Sequence, residues 1–531
     1  MDELSAELAA LKKRSEKART QAEQTAPLRE DAYRFVIPYR KGTKQTGVGA
    51  RRVDEVFDHT AIDSAMRFAG RLQQDFWPAE QTNFALRTGP GFPIAQKDEG
   101  NKILEQITNT VQAGCFEDGQ FDLAFHEMGI DLSVGTGAMA LPFGNDDGGI
   151  WDPTSIPMDE LNIEQGGGNR ISGIFWPRRM SMRELYESYP DGAYGAELMK
   201  LYREAPETEI DVHYDCVFER KERREFSRWK FVVWADKQPE KPIHVKRSRT
   251  QPIVVSRYFR VPGETWGRGP VLLAMPTIKT VNAAQRLQLQ AAAIAMLGIY
   301  TAVDDGVFNP SQSPLTPGSF MKVARNGGAL GPSVQRLPDP RLDLTGLVIE
   351  NMQMRIKATM LDEALPVEGA AVKSATEILE RVKRLAQDHI GAFGRLIKEI
   401  TIPVVKRAIE GCYEAGLLAD IPDINQVLVK LQIKSPLALA HEAQRVQRIV
   451  QWLEMVLAIL AQLGTPDRAD EIAQVDKALR EIGTAMGVPT EYITTEDEAK
   501  TLREDKQKQQ LALAAASAVG QGGLQGLGGA A

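Results

Sequence analysis

The chain has 531 residues, of which 43% are hydrophobic and 25% are charged, and its 64 Lys and Arg against 71 Asp and Glu give a net charge of −7. This composition excludes a collagenous, wholly disordered or disulfide-scaffold protein, and the length predicts roughly three or four domains. Three widely separated cysteines, Cys115, Cys216 and Cys412, fit reduced thiols in a cytosol-like compartment, so no disulfide framework is expected. We expect neither a signal peptide nor a transmembrane helix, because the longest apolar run, 291–303, is too short to span a bilayer.

The first half of the sequence is predicted to pass from helix to sheet. Residues 1–52 carry twelve Lys and Arg against seven Asp and Glu, and leucines at helical spacing predict a charged helix followed by a loop. A second helix is predicted at 57–77, ended by Pro78. Clustered glycines make 114–149 more typical of strands and turns than of helix. Further strands are predicted at 171–176, 210–218, 229–234 and 252–259.

The second half is predicted to be mainly helical. A long Ala-rich helix should start with Pro276 in its first turn and end near residue 298. A Pro- and Gly-rich insertion of turns and short strands follows at 304–342, and helix resumes at 344–361. Ser374 and Glu377 form a capping box that starts a helix running to about Cys412, and Pro403 should kink it. Two more helices are predicted at 436–463 and 467–482.

Motifs for catalysis are weak. The absence of Gly-Lys-Ser/Thr excludes a P-loop. The Gly135-Thr136-Gly137 segment matches a loose dinucleotide pattern, but Pro142 falls in the helix which that pattern requires, so a tight turn between strands is favoured. Asp146 and Asp147 suit a hard cation or a solvated turn. The six histidines lack zinc-site spacing, and alternation on a strand should place His213 and Tyr214 on opposite faces.

Several motifs occur in order along the chain and together carry a resemblance. They are Phe57-Asp58-His59-Thr60-Ala61, Gly135-Thr136-Gly137-Ala138-Met139, Val254-Val255-Ser256-Arg257-Tyr258, Pro262-Gly263-Glu264-Thr265-Trp266-Gly267-Arg268-Gly269-Pro270, Lys279 with Asn282, Ala375-Thr376-Glu377-Ile378-Leu379-Glu380-Arg381, Gly394-Arg395-Leu396 with Pro403, and Ser435-Pro436-Leu437-Ala438. From about residue 57 to residue 463 the chain resembles the portal, or head-to-tail connector, family of short-tailed, podovirus-type bacteriophages. Trp266 stands where many relatives have Tyr, so an aromatic side chain is kept.

The resemblance implies an α+β, predominantly α, portal-type multidomain fold in a ring oligomer, expected to be a dodecamer around a DNA channel. Its expected parts are the wing at 1–270, stem helix 1 at 271–299, the clip at 300–342, stem helix 2 at 343–364, the tunnel loop at 365–373, the kinked wing helix and its connection at 374–434, the crown at 435–494, and a C-terminal helix, barrel or low-complexity tail at 495–531.

The resemblance also implies partners and a location. Double-stranded DNA would pass through the channel, the terminase and then the tail adaptor would dock on the clip, and major capsid and scaffolding proteins would surround the ring. The protein would lie at the capsid vertex of the virion, after a stage in the host cytoplasm. No membrane, cofactor or catalytic activity is expected, because the ATP-driven work would belong to the terminase.

Ring symmetry decides how charge is interpreted, because each side chain is repeated in every subunit. Duplex DNA carries one negative charge per roughly 1.7 Å, so tight neutralisation would hold it in place. An acidic or neutral wall would keep the duplex centred, while a few basic rings would guide it. The candidates for those rings are Lys373, then Arg355 and Lys357, each of which alternatively faces solvent or a neighbouring subunit. The candidates for the clip docking surface are Lys322, Arg325 and Arg336.

Two other classes of protein remain open from the sequence. One is an intracellular nucleotide- or metal-dependent enzyme that uses the Gly135-Thr136-Gly137 turn or the Asp146 and Asp147 pair. The other is a helical structural adaptor without a DNA channel. Particle symmetry and a hydrolysis assay distinguish these classes from a ring connector.

Overall fold

The structure is a computed structural model. It describes residues 2–39, 55–78, 82–93, 96–117, 120–144, 149–219, 228–297, 300–302, 334–336, 343–362, 390–419, 424–425, 427–434, 436–462, 475–485, 499 and 508. Within these residues the chain mixes helix and sheet, which confirms the α+β class. None of the described helices is both long and apolar enough to cross a bilayer.

The helices of the described residues are α1 Asp2–Phe35, α2 Thr60–Phe76, α3 Lys97–Cys115, α4 Gln120–Val134, α5 Met182–Ser188, α6 Ala196–Glu204, α7 Pro270–Leu297, α8 Asp343–Thr359, α9 Ile390–Leu396, α10 Ile402–Glu414, α11 Pro436–Gln462 and α12 Val475–Ala485. The strands are β1 Phe84–Thr88, β2 Thr136–Ala140, β3 Thr154–Ile156, β4 Asn162–Gln165, β5 Ile171–Ser181, β6 Glu209–Glu219, β7 Arg228–Ala235, β8 His244–Ser248, β9 Ile253–Arg257, β10 Phe259–Arg260, β11 Gly267–Arg268, β12 Tyr300–Ala302, β13 Val334–Arg336 and β14 Val429–Ile433.

The four strands predicted between 171 and 259 are all present. Three of them join an antiparallel five-stranded sheet in the order β4-β5-β6-β7-β8, and the fourth, β9, joins β2 and β3. Helix α1 covers one face of the larger sheet, where Leu8 and Leu11 pack against Val217 and Val232. The opposite face joins a larger core that includes α7. The N-terminal charged helix is therefore a packing element of the sheet, and its leucine stripe is buried.

A second core lies under α2, α3, α4 and α10. Its centre is an aromatic cluster in which Trp77 packs tilted against Phe116 and Phe121, with ring centroids 5.0 Å away in each case. Strand β1 pairs with β14, so residues near 84 meet residues near 433. This pairing joins two segments of the second core that are far apart in sequence. Local sequence patterns do not predict such a contact.

The prediction of strands and turns over 114–149 is wrong at 120–134. Those residues form helix α4, whereas β2 and the connection that follows it have the expected character. Helix α4 is buried on several sides, with Phe121, Phe125, Met128 and Leu132 all inaccessible. Few positions of α4 are exposed, and one of them is the apolar Leu123, so the helix lacks a clear alternation of polar and apolar faces and the glycines dominated the pattern.

One helix boundary differs from the expectation, and another agrees with it. Helix α2 begins at Thr60 rather than at 57, whereas α7 begins at Pro270, where the chain was predicted to become helical, and contains Pro276 in its interior. Between α9 and α10, residues Ile397–Thr401 form a π-helical turn in which the Ile402 amide donates to the Ile397 carbonyl. That wider turn lies directly before Pro403, which cannot donate a hydrogen bond, so the helix is irregular where a kink was predicted.

The α1 face of the sheet contains a buried carboxyl group. The Trp234 indole donates to Asp215 Oδ2 at 2.7 Å, while Oδ1 has no hydrogen-bond partner among the described residues. Burial raises the pKa of Asp215 to about 7, against the opposing effects of Trp234 and of the Lys12 ammonium, which lies 4.1 Å from the Trp234 ring. His213 stacks on the same ring and Tyr214 points to the other face, as alternation predicts.

Asp215 should make the stability of the five-stranded sheet depend on pH. The unfolded carboxyl has an ordinary pKa near 3.8, so the folded protein holds an extra proton up to about pH 7, and its stabilising effect is lost as pH rises through 7. We expect the free energy of unfolding to fall by about 1 kcal/mol between pH 6 and 8, and Asp215→Asn to remove this slope. Urea unfolding measures both. Asp211→Asn, at an exposed position of the same strand, is the control, and an unchanged slope in Asp215→Asn would contradict the assignment.

Candidate functional site

Helices α7 and α8 pack on each other. Along α7, Val271, Ala274, Ile278 and Val281 are buried in the core, whereas no residue from 283 to 293 is buried. The first half of α7 is therefore embedded and its second half projects. We call this pair, Pro270–Leu297 with Asp343–Thr359, the stem pair, and we call the contacts where it leaves the body the stem base.

The start of α7 is held by two glycine-containing segments in direct backbone contact. Gly267 N donates to Thr136 Oγ1 at 2.9 Å, and Gly269 N donates to the Val134 carbonyl at 2.7 Å. A Cβ on Gly267 would overlap the carbonyl oxygen of Gly135, and Gly135 itself has a φ of +151°. Only glycine allows two chain segments to approach this closely, so these motifs set the position of α7.

Buried charges support the same joint from two sides. The Arg257 guanidinium, which is 2% exposed, donates to Glu399 Oε1 at 2.6 Å and to the Thr265 carbonyl at 3.3 Å. Glu399 belongs to the π-helical turn, so the irregular turn is tied to β9. The Arg29 guanidinium lies 4.5 Å from the centre of the Trp266 ring. The arginine-aromatic run and its neighbouring tryptophan therefore brace the segment that leads into α7.

A polar cluster marks the point where α7 changes from buried to exposed. Asn282 Oδ1 accepts from the Phe57 amide at 2.7 Å, and Asn282 Nδ2 donates to the Glu55 carbonyl at 3.1 Å. From α8, Gln353 Nε2 donates to Asp58 Oδ1 at 2.7 Å. Both helices of the stem pair are thus hydrogen-bonded to the segment that precedes α2, and the motif residues Asp58 and Asn282 meet there.

The last turn of α8 is fastened to α2. Ser64 Oγ donates to Asp362 Oδ2 at 2.8 Å, and Arg67 forms an ion pair with the same carboxylate. Arg71 donates to the Leu361 carbonyl, and Leu361 has a φ of 58°, which is rare for a residue with a side chain. Neither Asp362 nor Gln353 belongs to a motif that the sequence revealed, and only their spatial partners identify them.

Arg355 and Lys357 are both exposed on α8, as a channel-facing or intersubunit role requires. Residues two positions apart on an α-helix are separated by about 200° around its axis. The Arg355 and Lys357 side chains therefore lie on opposite flanks of α8. Ile349, Ile356 and Met360 form the covered face between them. The outward ridge contains Leu347 and Met354, which are 61% and 59% exposed. The two basic side chains therefore point in nearly opposite directions from the axis of α8.

The other candidates are only partly placed. Arg336 lies on β13, which pairs with β12 through Tyr300. Lys322, Arg325, Lys373, Asp146, Asp147 and the capping box at Ser374 lie outside the described residues.

The structure contradicts two expectations for the Gly135 turn. Gly135 connects helix α4 to strand β2, so it is not a turn between strands. The segment that follows it is a strand, whereas dinucleotide binding needs a helix N-terminus there. Among the described residues no group of three or more His, Cys, Asp or Glu side chains could hold a metal ion.

The fold and the stem base define a structural component with an anchored, uncovered helical pair. The sequence model of the family described as "Bacteriophage head to tail connecting protein" matches residues 8–493, which is well over half of the chain. The chain therefore belongs to the bacteriophage head-to-tail connector family, which confirms the resemblance drawn from the motifs. No curated protein matches the chain. The family is structural rather than enzymatic, and its members associate with capsid and tail in the virion.

The glycine joint yields a stability prediction. Gly267→Ala should reduce the free energy of unfolding by about 3 kcal/mol or more, because its Cβ would overlap the Gly135 carbonyl oxygen and lie 2.9 Å from Arg257 Cβ. Gly346→Ala, in α8, meets nothing within 4 Å and should stabilise by about 0.5–1 kcal/mol. Denaturant unfolding of both variants measures the difference. Equal stabilities of the two variants would show that the joint has no such role.

Proposed function

We propose that this chain is a portal subunit, and that its copies form a dodecameric ring at one capsid vertex through which DNA is packaged and ejected. The single observation that carries the proposal is the stem pair of a connector-family chain, which is anchored at its base and uncovered beyond it. The ring then serves as the passage between head and tail.

The uncovered apolar surface supports self-association. Leu287 and Leu289 on α7, and Leu347 and Met354 on α8, are each more than half exposed. Several large apolar side chains exposed on one helical pair favour an interaction surface. Side-by-side packing of stem pairs from neighbouring subunits would cover them. The small residues Ala283, Ala284 and Ala291 to Ala293 let neighbouring helices approach closely.

The expected division into parts fits this role. The two cores and the large sheet would form the wing, α7 and α8 the stem, residues 300–342 the clip, and α11 with α12 the crown. The tunnel loop would be 365–373. The clip, with Lys322, Arg325 and Arg336, would dock the terminase during packaging and the tail adaptor afterwards. Capsid and scaffolding proteins would contact the outside of the ring.

The charge of the stem suits a sliding duplex. From 283 to 297 the sequence of α7 contains a single charged residue, Arg286, and in α8 Asp343 and Glu350 balance Arg355 and Lys357. A wall that is nearly neutral would not neutralise many phosphates, so DNA would not be held in place. One basic side chain per subunit is multiplied by the ring symmetry and is enough to guide the duplex.

Purification of the full chain tests the ring directly. We expect a hollow particle with about twelve-fold symmetry in electron micrographs and a native mass of about twelve subunits. The exposed apolar stem would be buried between subunits. Monomers or closed dimers at high protein concentration, without a central hole, would refute the proposal.

The basic side chains are tested one at a time. Lys373→Ala should leave ring assembly intact and change the amount of packaged or retained DNA by about twofold or more. Because Arg355 and Lys357 lie on opposite flanks of α8, we expect only one of the variants Arg355→Ala and Lys357→Ala to have this effect. In vitro packaging and DNA-retention assays measure it.

Lys200→Ala, an exposed lysine on α6, is the matched control and should leave both assays unchanged. If Arg355→Ala and Lys357→Ala alter DNA retention equally, the proposed geometry of the channel wall is wrong. If Lys373→Ala changes neither assay, this residue does not guide DNA.

A further inference from the structure

Two of the three cysteines lie in contact in the interior. Cys115 is the last residue of α3 and Cys412 lies near the end of α10, and their Sγ atoms are 3.6 Å apart although 297 positions separate them in sequence. Both side chains are inaccessible to solvent. Cys216, on β6, is also buried, and all three thiols are free. The sequence spacing did not indicate this pair.

The two helix ends approach because each carries a glycine beside its cysteine. A Cβ on Gly114 would lie 2.6 Å from Ile150 Cδ1, and a Cβ on Gly411 would lie 2.9 Å from Ile150 Cγ2. The Ile150 side chain therefore packs on both glycines at once. The Trp151 indole adds a hydrogen bond of 2.7 Å to the Cys115 carbonyl. The thiol pair thus sits at a closely packed junction of α3 with α10.

This junction is suited to a covalent bond. A disulfide has an S–S length of about 2.05 Å, so the sulfurs need to approach by about 1.5 Å, which is within the reach of side-chain rotation. We propose that Cys115 and Cys412 are a disulfide-forming site, oxidised within the folded chain by a small hydroperoxide. Hydrogen peroxide is close to water in size and enters such a junction through local opening.

The reaction balances as two thiols and one hydrogen peroxide giving one disulfide and two waters. One thiolate attacks a peroxide oxygen, the O–O bond breaks, and a sulfenic acid and water form after proton transfer. The second sulfur then attacks the sulfenic sulfur and displaces another water. Two electrons pass from the two sulfurs to the peroxide.

In this proposal Cys412 is the first sulfur to react. A hydrogen bond from the Cys115 thiol lowers the pKa of Cys412, although burial opposes this effect, and the thiolate is the reactive form. The Cys115 Sγ atom also lies 3.8 Å from the Ala408 carbonyl oxygen, so the Cys115 thiol is in contact with α10. Cys115 would resolve the sulfenic acid. Cys216 does not belong to this thiol pair, and burial raises the pKa of its thiol to about 12.

The bond would close a long segment of the chain. Residues between 115 and 412 include the large sheet and the whole stem pair, so the disulfide would restrain the unfolded state strongly. It would also lock α3 against α10 in the second core. This site depends on the two thiols alone, and its test is independent of the ring and of DNA.

The test uses the full chain, treated with hydrogen peroxide and then digested and analysed by mass spectrometry under non-reducing conditions. We expect a peptide that links Cys115 to Cys412, a mass decrease of about 2 Da, and a melting temperature higher by a few degrees, about 2–4 °C. Two of the three thiols should be lost. Dithiothreitol should reverse all four changes.

Variants separate this bond from other oxidation. Cys216→Ala should form the link like the wild type, whereas Cys115→Ala and Cys412→Ala should lose it together with the gain in melting temperature. The wild-type peptide map decides the question even if a variant does not fold. Three remaining thiols, a link that involves Cys216, or sulfinic acids without a link would overturn the proposal.

Discussion

The architecture depends on one backbone contact, the approach of Gly135-Thr136-Gly137 to Gly267-Arg268-Gly269. The first segment ends α4 and begins β2, while the second leads directly into α7. Because a side chain at Gly267 would overlap the opposing carbonyl, the distance between α4 and the start of α7 is set by main-chain atoms. The direction in which the stem pair leaves the body follows from this contact.

Polar groups then determine where the body ends. The embedded half of α7 is held by apolar burial, and Asn282 and Gln353 fasten the pair at the transition through hydrogen bonds to the segment before α2. Beyond that point no described residue from 283 to 293 of α7 is buried. A helical pair with exposed apolar side chains and an anchored base is suited to assembly. Its backbone is already ordered, so association of copies costs little further conformational entropy.

Sequence patterns predicted the elements that local composition, periodicity and proline positions define. The leucine stripe of α1, the alternating strands of the large sheet and the irregularity before Pro403 were all expected, since local periodicity and proline chemistry determine them. Helix α4 was missed because it is buried on several sides. The start of α7 at Pro270 agrees with the predicted onset of helix there, and Pro276 lies inside the helix.

The sequence by itself determined the family, through motifs whose order is independent of geometry, and the class of fold. It did not determine what those motifs do. Only the tertiary structure showed that two glycine runs far apart in sequence form one joint, that Asp58 and Asn282 meet, and that Cys115 contacts Cys412. Each of these facts concerns residues brought together by long-range packing, which single-sequence periodicity does not encode because it reports only on neighbours along the chain.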